Sequence, residues 1–213
     1  MSNADKKKIY IIRHGETDYN KAGVVQGRGI NADLNATGIA QGDAFYEMYK
    51  SVPFDKVYTS TLKRTHQTVK KFLEIPLPWE QVAGLDEMAW GKHEGKGIST
   101  EVREDFEKLI ESWNAGDYDA RPEEGESPND VYKRQTEAMN YIVSKDKENE
   151  KTILICMHGR AMRLLLCQLT GKELKEMDFF PHQNTSLYIL NYADGEYEIE
   201  TFNSLAHLQL IEE

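Results

Sequence analysis

Short apolar runs recur along the chain and are separated by longer segments in which apolar residues return every three or four positions. Residues 9–12, 54–60 and 151–159 are compact runs rich in β-branched, aromatic or other apolar residues, a composition typical of buried strands. Near the carboxyl end, two alternating runs surround Ala193-Asp194-Gly195, and this pattern predicts a β-hairpin. The hydrophobic pattern therefore predicts three buried strands followed by one hairpin.

Helical periodicity fills the segments between these strands. A helix is predicted over residues 38–50, with Thr37 as its cap and with Ile39, Phe45 and Met48 on its buried face. A second helix is predicted over residues 61–74, ending before Pro76 and Pro78, and a third over residues 100–113. A long helix begins at Ser127 and Pro128, and the last covers residues 160–171, ended by Gly171.

Alternating strands and helices predict an α/β fold with a largely parallel sheet. The chain has 213 residues, of which 39% are hydrophobic, and this size suits a single domain with a sizeable core. Residues 86–126 are richer in charge and glycine, so we expect this segment to leave the sheet and form a lid-like excursion within the domain.

Charge and cysteine content narrow the possible partners. A formal net charge of -10 argues against a nucleic-acid or anionic-membrane surface, so an anionic substrate needs a local basic cluster. Cys156 and Cys167 lack metal-site or CxxC spacing and are interpreted as buried free thiols in a reducing compartment. The chain has no apolar stretch of membrane-spanning length and its start carries no secretory signal, so we expect a cytoplasmic protein.

Basic residues follow each predicted parallel strand. Arg13 and His14 end the first strand, Arg64 lies one turn into the helix after the second, and His158 ends the third. The carboxyl ends of parallel strands meet at one edge of the sheet, where ligands bind in open α/β folds. Two arginines and two histidines at that edge predict a phosphate site that needs no metal.

Such a cluster also suits covalent phosphoryl transfer. A neutral histidine that attacks phosphorus forms a phosphohistidine, while fixed cations stabilise the equatorial oxygens. The leaving alkoxide needs a proton, and Glu87 is the candidate general acid if burial and the adjacent phosphate keep it protonated. No metal-ligand spacing or dinucleotide fingerprint is present, so no cofactor is predicted.

The chain resembles the histidine phosphatase superfamily, in the branch that contains the cofactor-dependent phosphoglycerate mutases. The matching motifs, in order, are Arg13-His14-Gly15-Glu16-Thr17 with Asn20, residues 59–65 ending in Arg64-Thr65, Glu87 before Trp90-Gly91 and Glu94-Gly95, Gly125-Glu126-Ser127, and His158-Gly159. This resemblance implies a three-layer α/β/α fold around a mostly parallel sheet. It implies His14 as the phosphorylated nucleophile, Glu87 as proton donor, and a phosphate pocket of Arg13, Arg64 and His158, with Asn20, Gln26, Gly27 and Gly159 around it.

Several functions remain open at this stage. Mutases of the family resemble one another in carrying an arginine directly after the acidic glutamate and an adjacent arginine pair further on; here Met88 follows Glu87 and no such pair occurs. A histidine acid-type phosphatase is therefore favoured, with a mutase or a non-catalytic phosphate-binding domain as alternatives. The expected partner is a small phosphorylated metabolite, and the sequence does not specify an oligomeric state.

The remaining basic residues have less specific interpretations. His66 and His207 are expected to be structural, whereas His93 and His182 are candidates for the mouth of the pocket. Lys92, His93, Lys96 and Arg103 lie in the excursion, where any of them could meet a second anionic group of the substrate.

Overall fold

A computed structural model describes residues 6–211 of the chain. Its strands are β1 (Lys7–Arg13), β2 (Lys56–Thr59), β3 (Trp79–Gln81), β4 (Thr152–Met157), β5 (Leu187–Ala193) and β6 (Glu196–Ser204). Its α-helices are α1 (Asp18–Lys21), α2 (Ala36–Tyr49), α3 (Lys63–Thr68), α4 (Lys70–Leu73), α5 (Thr100–Asn114), α6 (Pro128–Ile142) and α7 (Gly159–Thr170). The amino-terminal segment, in which no secretory signal is predicted, lies partly outside the described residues.

The strands form one six-stranded sheet in the order β3, β2, β4, β1, β5, β6. The pairs β3–β2, β2–β4 and β4–β1 are parallel, whereas β5 is antiparallel to both β1 and β6. The mostly parallel sheet and the carboxyl-terminal hairpin predicted from the sequence are confirmed. The short strand β3 was missed because it has three residues and directly follows Pro76 and Pro78.

Side chains of the central strands alternate between two cores. Ile9 and Ile11 of β1 pack with residues of α6 and α7 on one face, while Tyr10 and Ile12 pack with residues of α2 and α4 on the other. The same alternation recurs in β4, because successive side chains of a strand point to opposite faces. Two buried layers on either side of the sheet produce the three-layer α/β/α arrangement.

Helix α2 differs in detail from its sequence prediction. Its N-cap is Asn35, whose side chain accepts a hydrogen bond from Gly38 N at 2.9 Å, and Thr37 lies inside the helix. Phe45 is buried as predicted, but Ile39 is 54% exposed and Met48 is only partly buried. The prediction was wrong because the buried face is built on glycines, which an apolar pattern does not reveal.

The segment after β2 is also less regular than predicted. The sequence predicts a single helix over 61–74, but α3 and α4 are separated at Val69, whose φ and ψ of -104° and 17° interrupt the helix. Helices α5, α6 and α7 match their predictions closely, with Ser127 capping α6 and Gly171 ending α7 at a φ of 69°. Cys156 and Cys167 are buried free thiols, as predicted.

Candidate active site

His14 follows the last residue of β1 and is 3% exposed. Its Nδ1 lies 2.7 Å from the carbonyl oxygen of Gly15. Because a carbonyl oxygen only accepts, Nδ1 carries the proton, and the lone pair of the neutral ring is on Nε2. Nε2 has no hydrogen-bond partner among residues 6–211. The backbone next to the ring thus selects the tautomer in which Nε2 is the available nucleophile.

The surroundings of His14 keep its ring neutral. Burial lowers the pKa of His14 well below its ordinary value, and the positive charges of Arg64 and Arg13 lower it further. An imidazolium has no lone pair with which to attack phosphorus, so a depressed pKa preserves the reactive form at neutral pH.

Arg64 is 1% exposed on the first turn of α3 and is held by the loop that precedes α2. Its Nη1 donates to Ile30 O at 2.6 Å and its Nη2 to Gly27 O at 3.3 Å. The Gln26 amide is oriented so that its nitrogen donates to Thr17 Oγ1 and its oxygen accepts from Arg64 Nε at 2.9 Å. Burial lowers the pKa of Arg64 to about 10, so the guanidinium remains charged at neutral pH.

His158 ends the turn between β4 and α7, and its ring centroid lies 5.1 Å from that of His14. Its Nδ1 accepts from Arg64 Nε at 3.1 Å, because a guanidinium can only donate. The proton of the neutral ring is then on Nε2, which donates to Ser60 Oγ at 2.7 Å. Arg64 therefore fixes the tautomer of His158, and Ser60 accepts the remaining ring N–H, a role that its place in the motif at 59–65 did not reveal.

Arg13 contributes the second buried guanidinium. Its Nη1 donates to the carbonyl oxygen of His182 at 3.1 Å, whereas its buried Nε has no hydrogen-bond partner among the described residues. A Cβ atom at position 159 would lie 3.2 Å from Arg13 Nε. Because Gly159 has no side chain, the space beside this donor stays open. An unpaired buried N–H on a cation is a donor for an incoming anion.

Glu87 lies at the amino end of α7 and is 6% exposed. Its Oε1 accepts from the backbone N–H groups of Met88 and Ala161, both at 2.8 Å, and its Oε2 accepts from Arg160 N at 3.1 Å. Helix N-termini present free N–H groups of this kind. The turn after β4 therefore positions both His158 and the carboxyl group of Glu87.

Arg134 of α6 holds the backbone that carries Glu87. Its Nη1 donates to the carbonyl oxygens of Gly84 and Asp86 at 2.8 and 2.9 Å, and its Nη2 donates to that of Glu87 at 3.1 Å. The same guanidinium forms a two-pronged pair with Glu126 at 2.9 and 3.0 Å. Sequence reasoning missed Arg134, although its position eight residues after Glu126 of the Gly125-Glu126-Ser127 motif was a usable signal.

A further missed residue, Asn184, joins the loop before β5 to the site. Its Nδ2 donates to His14 O and to Asn20 Oδ1, both at 3.1 Å. Because β5 is antiparallel to β1, the amino end of β5 lies at the same sheet edge as the carboxyl end of β1. Asn184 lies two residues before the predicted hairpin, and the pairing of that hairpin with β1 was not predicted.

The other residues predicted around the pocket have supporting contacts. The Gln26 amide is 2.6 Å from Thr17 Oγ1 and also contacts Arg64. Gly27 supplies its carbonyl to Arg64, and a Cβ there would lie 2.8 Å from the backbone oxygen of Met88, so a larger residue would displace backbone.

Histidines outside the cluster divide into two groups. His182 lies at the site, next to Arg13 and Gly159, and burial lowers its pKa to about 4, with a smaller contribution from Arg13. His66 contacts Ser60 O at 2.7 Å and His207 contacts Thr185 Oγ1 at 2.9 Å, so both have local partners.

In the excursion, Lys92 pairs with Glu123, and His93 lies 3.8 Å from Asp105. Lys96 and Arg103 are exposed. The structure thus leaves none of these four basic residues in contact with the cluster of Arg13, His14, Arg64 and His158.

Residues 6–211 contain neither a metal-binding cluster nor a membrane-spanning helix. No group of three His, Cys, Asp or Glu side chains there is arranged to hold a metal ion. No helix in the same range has the length and apolar character that crossing a bilayer requires. What the site does contain is a neutral histidine, buried guanidinium groups and a carboxyl group, which together can bind a phosphate and transfer it.

Comparison with known proteins agrees with this chemistry. The chain is 29% identical to a broad-specificity phosphatase of Saccharomyces cerevisiae over 87% of its length and 80% of the yeast protein. It is also 29% identical to a 2,3-bisphosphoglycerate-dependent phosphoglycerate mutase of Bartonella tribocorum, over 80% and 85% of the two chains. Among solved structures, phosphoserine phosphatase from Entamoeba histolytica in complex with 3-phosphoglyceric acid superposes with a TM-score of 0.81, at 26% identity, covering 95% and 99% of the two chains.

The chain also matches a family model over most of its length. Residues 9–205 match the histidine phosphatase superfamily (branch 1), a range that includes all but the first two residues of β1, the other five strands, and Arg13, His14, Arg64 and His158. The order of motifs, the sheet topology and the paired histidines agree with one another, and the chain belongs to the histidine phosphatase superfamily.

Proposed function

We propose that this chain is a metal-independent phosphomonoester hydrolase that acts through a phosphohistidine on His14. The observation that carries the proposal is the state of His14: its Nδ1 is held by Gly15 O, its ring is kept neutral, and two buried guanidinium groups adjoin it. A neutral, oriented imidazole in a cationic pocket is what attack on a phosphate dianion requires.

In the first step, His14 Nε2 forms a bond to phosphorus as the ester P–O bond breaks. Arg13, Arg64 and His158 bind the equatorial oxygens, and Asn20, Gln26, Gly27 and Gly159 complete the pocket. Glu87, protonated at the start, gives its proton to the departing alkoxide. Its Oε2 accepts only one hydrogen bond, from Arg160 N, and so retains room for this proton.

In the second step, the Glu87 carboxylate takes a proton from water as the water oxygen attacks phosphorus and the P–N bond breaks. This step returns His14 to its neutral form and Glu87 to its protonated form, and releases inorganic phosphate. Segment 86–126 acts as a lid of the same domain over this chemistry.

A small phosphorylated metabolite is the proposed substrate. Relatives of this chain are named as phosphatases, one of them of broad specificity, and a structural neighbour was solved with 3-phosphoglyceric acid. Transfer to water is favoured over transfer between glycerates, since Met88 stands where the mutases carry an arginine and no arginine pair is present. Likeness to a mutase makes isomerisation the second candidate.

The test is to trap the intermediate during turnover of p-nitrophenyl phosphate with a chelator present. Rapid quenching without acid, followed by peptide mapping, should place an acid-labile phosphoryl group on His14, and His14→Ala should abolish both label and hydrolysis. Label on the peptide that contains His158, or hydrolysis that the chelator stops, would contradict the proposal. With 3-phosphoglycerate, release of inorganic phosphate supports a phosphatase, and formation of 2-phosphoglycerate supports a mutase.

A further inference from the structure

Arg160 is a cation next to Glu87 that has no anionic partner. It is the second residue of α7, and its backbone N–H donates to Glu87 Oε2 at 3.1 Å. Its side chain makes one hydrogen bond, from Nη1 to the thioether sulfur of Met177 at 2.9 Å. No carboxylate of residues 6–211 forms an ion pair with it. A thioether is a weak acceptor, so this guanidinium keeps most of its capacity to bind an anion.

Comparison with the other arginines shows how unusual this is. Four of them pair with carboxylates: Arg28, Arg121, Arg134 and Arg163. The rest, over the described part of the chain, are Arg13 and Arg64 of the phosphate cluster, Arg103, which is exposed on α5, and Arg160. A partly buried cation without a counter-charge costs stability, and at a binding site the missing anion is supplied by the ligand.

The neighbours of Arg160 fix its guanidinium instead of neutralising it. The Cζ atom lies 5.7 Å from the ring centroid of Trp90 and 5.9 Å from that of Trp113, and both indoles are buried. Stacking of this kind orients a guanidinium while its N–H groups stay available. Arg160 directly follows Gly159, and a Cβ atom at position 159 would lie 3.2 Å from both Arg13 Nε and the His182 ring, so the backbone of Arg160 is at the edge of the phosphate cluster.

The position relative to Glu87 indicates which part of a substrate Arg160 would meet. If Glu87 protonates the ester oxygen, the alcohol portion of the substrate departs next to Glu87, at the amino end of α7, where Arg160 is the second residue. We propose that Arg160 binds a carboxylate on this alcohol portion, so that the preferred substrates are phosphomonoesters of hydroxy acids. The inference rests on the proposed phosphatase function. One planar guanidinium matches one carboxylate in charge and in geometry, whereas a second phosphate would bring excess negative charge.

The test uses substrates that differ only in the carboxylate. O-Phosphoserine is compared with O-phosphoethanolamine, and 3-phosphoglycerate with glycerol 3-phosphate, by kcat/KM. The wild type should prefer the carboxylate member of each pair. Arg160→Met keeps the apolar stem against the indoles and should reduce that preference about ten- to hundredfold, the size expected for a charge-assisted hydrogen bond. Arg160→Lys should retain part of the preference. Arg103→Gln, an equal change of charge on the exposed face of α5, should leave it intact.

Other outcomes would overturn the inference. Arg160 has no role in substrate binding if the wild type does not discriminate within either pair. The same holds if Arg160→Met discriminates as well as the wild type does. Loss of the preference in Arg103→Gln alone would assign the role to the excursion. A third outcome would assign Arg160 to a second phosphate. In that case the wild type prefers fructose 1,6-bisphosphate over fructose 6-phosphate, and Arg160→Met loses this preference without any change in the carboxylate pairs. Failure to hydrolyse p-nitrophenyl phosphate at all would instead refute the underlying phosphatase proposal.

Discussion

The Nη2 atom of Arg134 donates to the main-chain oxygen of Glu87 at 3.1 Å, and its Nη1 atom donates to the carbonyl oxygens of Gly84 and Asp86. Helix α6 is thereby connected to the short loop that carries the proposed acid. Glu126 orients the guanidinium from the start of the same helix. The backbone of Glu87 is thus fixed by Arg134, while its carboxyl group is fixed by the amino end of α7.

Replacing Arg134 should impair the chemistry in a way that depends on the leaving group. In Arg134→Met the loop can shift, and a displaced Glu87 protonates the departing oxygen less well. We expect phosphorylation of His14 by an alkyl phosphate to slow about ten- to hundredfold, because general acid catalysis contributes about 10²–10⁴-fold and a displaced acid loses part of this. Phosphorylation of His14 by an aryl phosphate should slow much less. Single-turnover kinetics with both substrates measures this contrast.

Arg28 offers a matched control for Arg134. It pairs with the same Glu126 and with Asp86, but its side chain is 41% exposed and it makes no contact with Glu87. Arg28→Met should therefore leave the ratio of alkyl to aryl rates unchanged. Equal slowing of both substrates in Arg134→Met would mean that Arg134 supports the fold without positioning the acid.

Glu87 itself should show the strongest leaving-group dependence. An alkyl phosphate departs as a basic alkoxide, whereas nitrophenolate departs readily without a proton. Glu87→Gln should slow the phosphorylation step by about 10²–10⁴-fold for the alkyl ester and much less for the aryl ester. The step must be isolated by single-turnover kinetics, because loss of the base that activates water slows steady-state turnover for both. Identical losses in the isolated step would assign the proton to another group.

Much of this site could be predicted from the sequence because residues that follow parallel strands share an edge. Arg13, His14 and His158 were placed by that rule alone. Asn184, Arg134 and Arg160 were not, because their positions depend on the pairing of β5 with β1 and on the packing of α6 and of the indoles, which leave no local pattern.

The glycine-based face of α2 was also invisible to the sequence analysis. Hydrophobic periodicity detects large apolar side chains, whereas α2 approaches its neighbours through residues that have none. A Cβ at Gly38 would lie 2.1 Å from Glu16 O, and one at Gly42 would lie 2.5 Å from Thr68 O. The helix therefore sits against backbone, and Ile39, which the pattern assigned to the core, is exposed.

Gly38→Ala should consequently destabilise the protein and displace the loop that carries His14. The added methyl group meets backbone that cannot rotate away, and overpacking of this kind costs about 1–3 kcal/mol. Urea denaturation measures the free energy of unfolding, and inhibition by inorganic phosphate reports on the pocket. Gly97→Ala is the control, since a Cβ there meets nothing within 4 Å. Equal stability of the two variants would contradict the packing argument.

Arg64 should influence the protonation of His14 from its neighbouring position. Burial is the main cause of the low pKa of His14, and the charge of Arg64 is the next. Arg64→Gln removes that charge, so the pKa of His14 should rise toward its ordinary value. Titration of the His14 Cε1 proton by NMR measures the shift. His207 is the internal control, because its pKa of about 4 arises from burial alone and should not move. An unchanged His14 pKa would mean that the charge of Arg64 does not contribute to the low value.

The depressed histidine pKa values also predict how stability changes with pH. Four buried histidines are neutral in the folded state: His14, His158, His182 and His207. The pKa is lowered to about 4 in both His182 and His207. In the unfolded chain the same side chains take up protons below about pH 6.5. Below that pH the unfolded state binds more protons, so the free energy of unfolding must fall as the pH falls.

Each of these histidines can contribute up to about 1.4 kcal/mol per pH unit between about pH 6.5 and its folded-state pKa. Urea denaturation at about pH 7, 6 and 5 measures the slope, mostly above the range in which ordinary carboxylates titrate. His207→Gln retains a side chain able to bond Thr185 but cannot protonate, so its slope should be shallower by about one histidine. A slope equal to that of the wild type would show that the burial of His207 does not couple its protonation to unfolding.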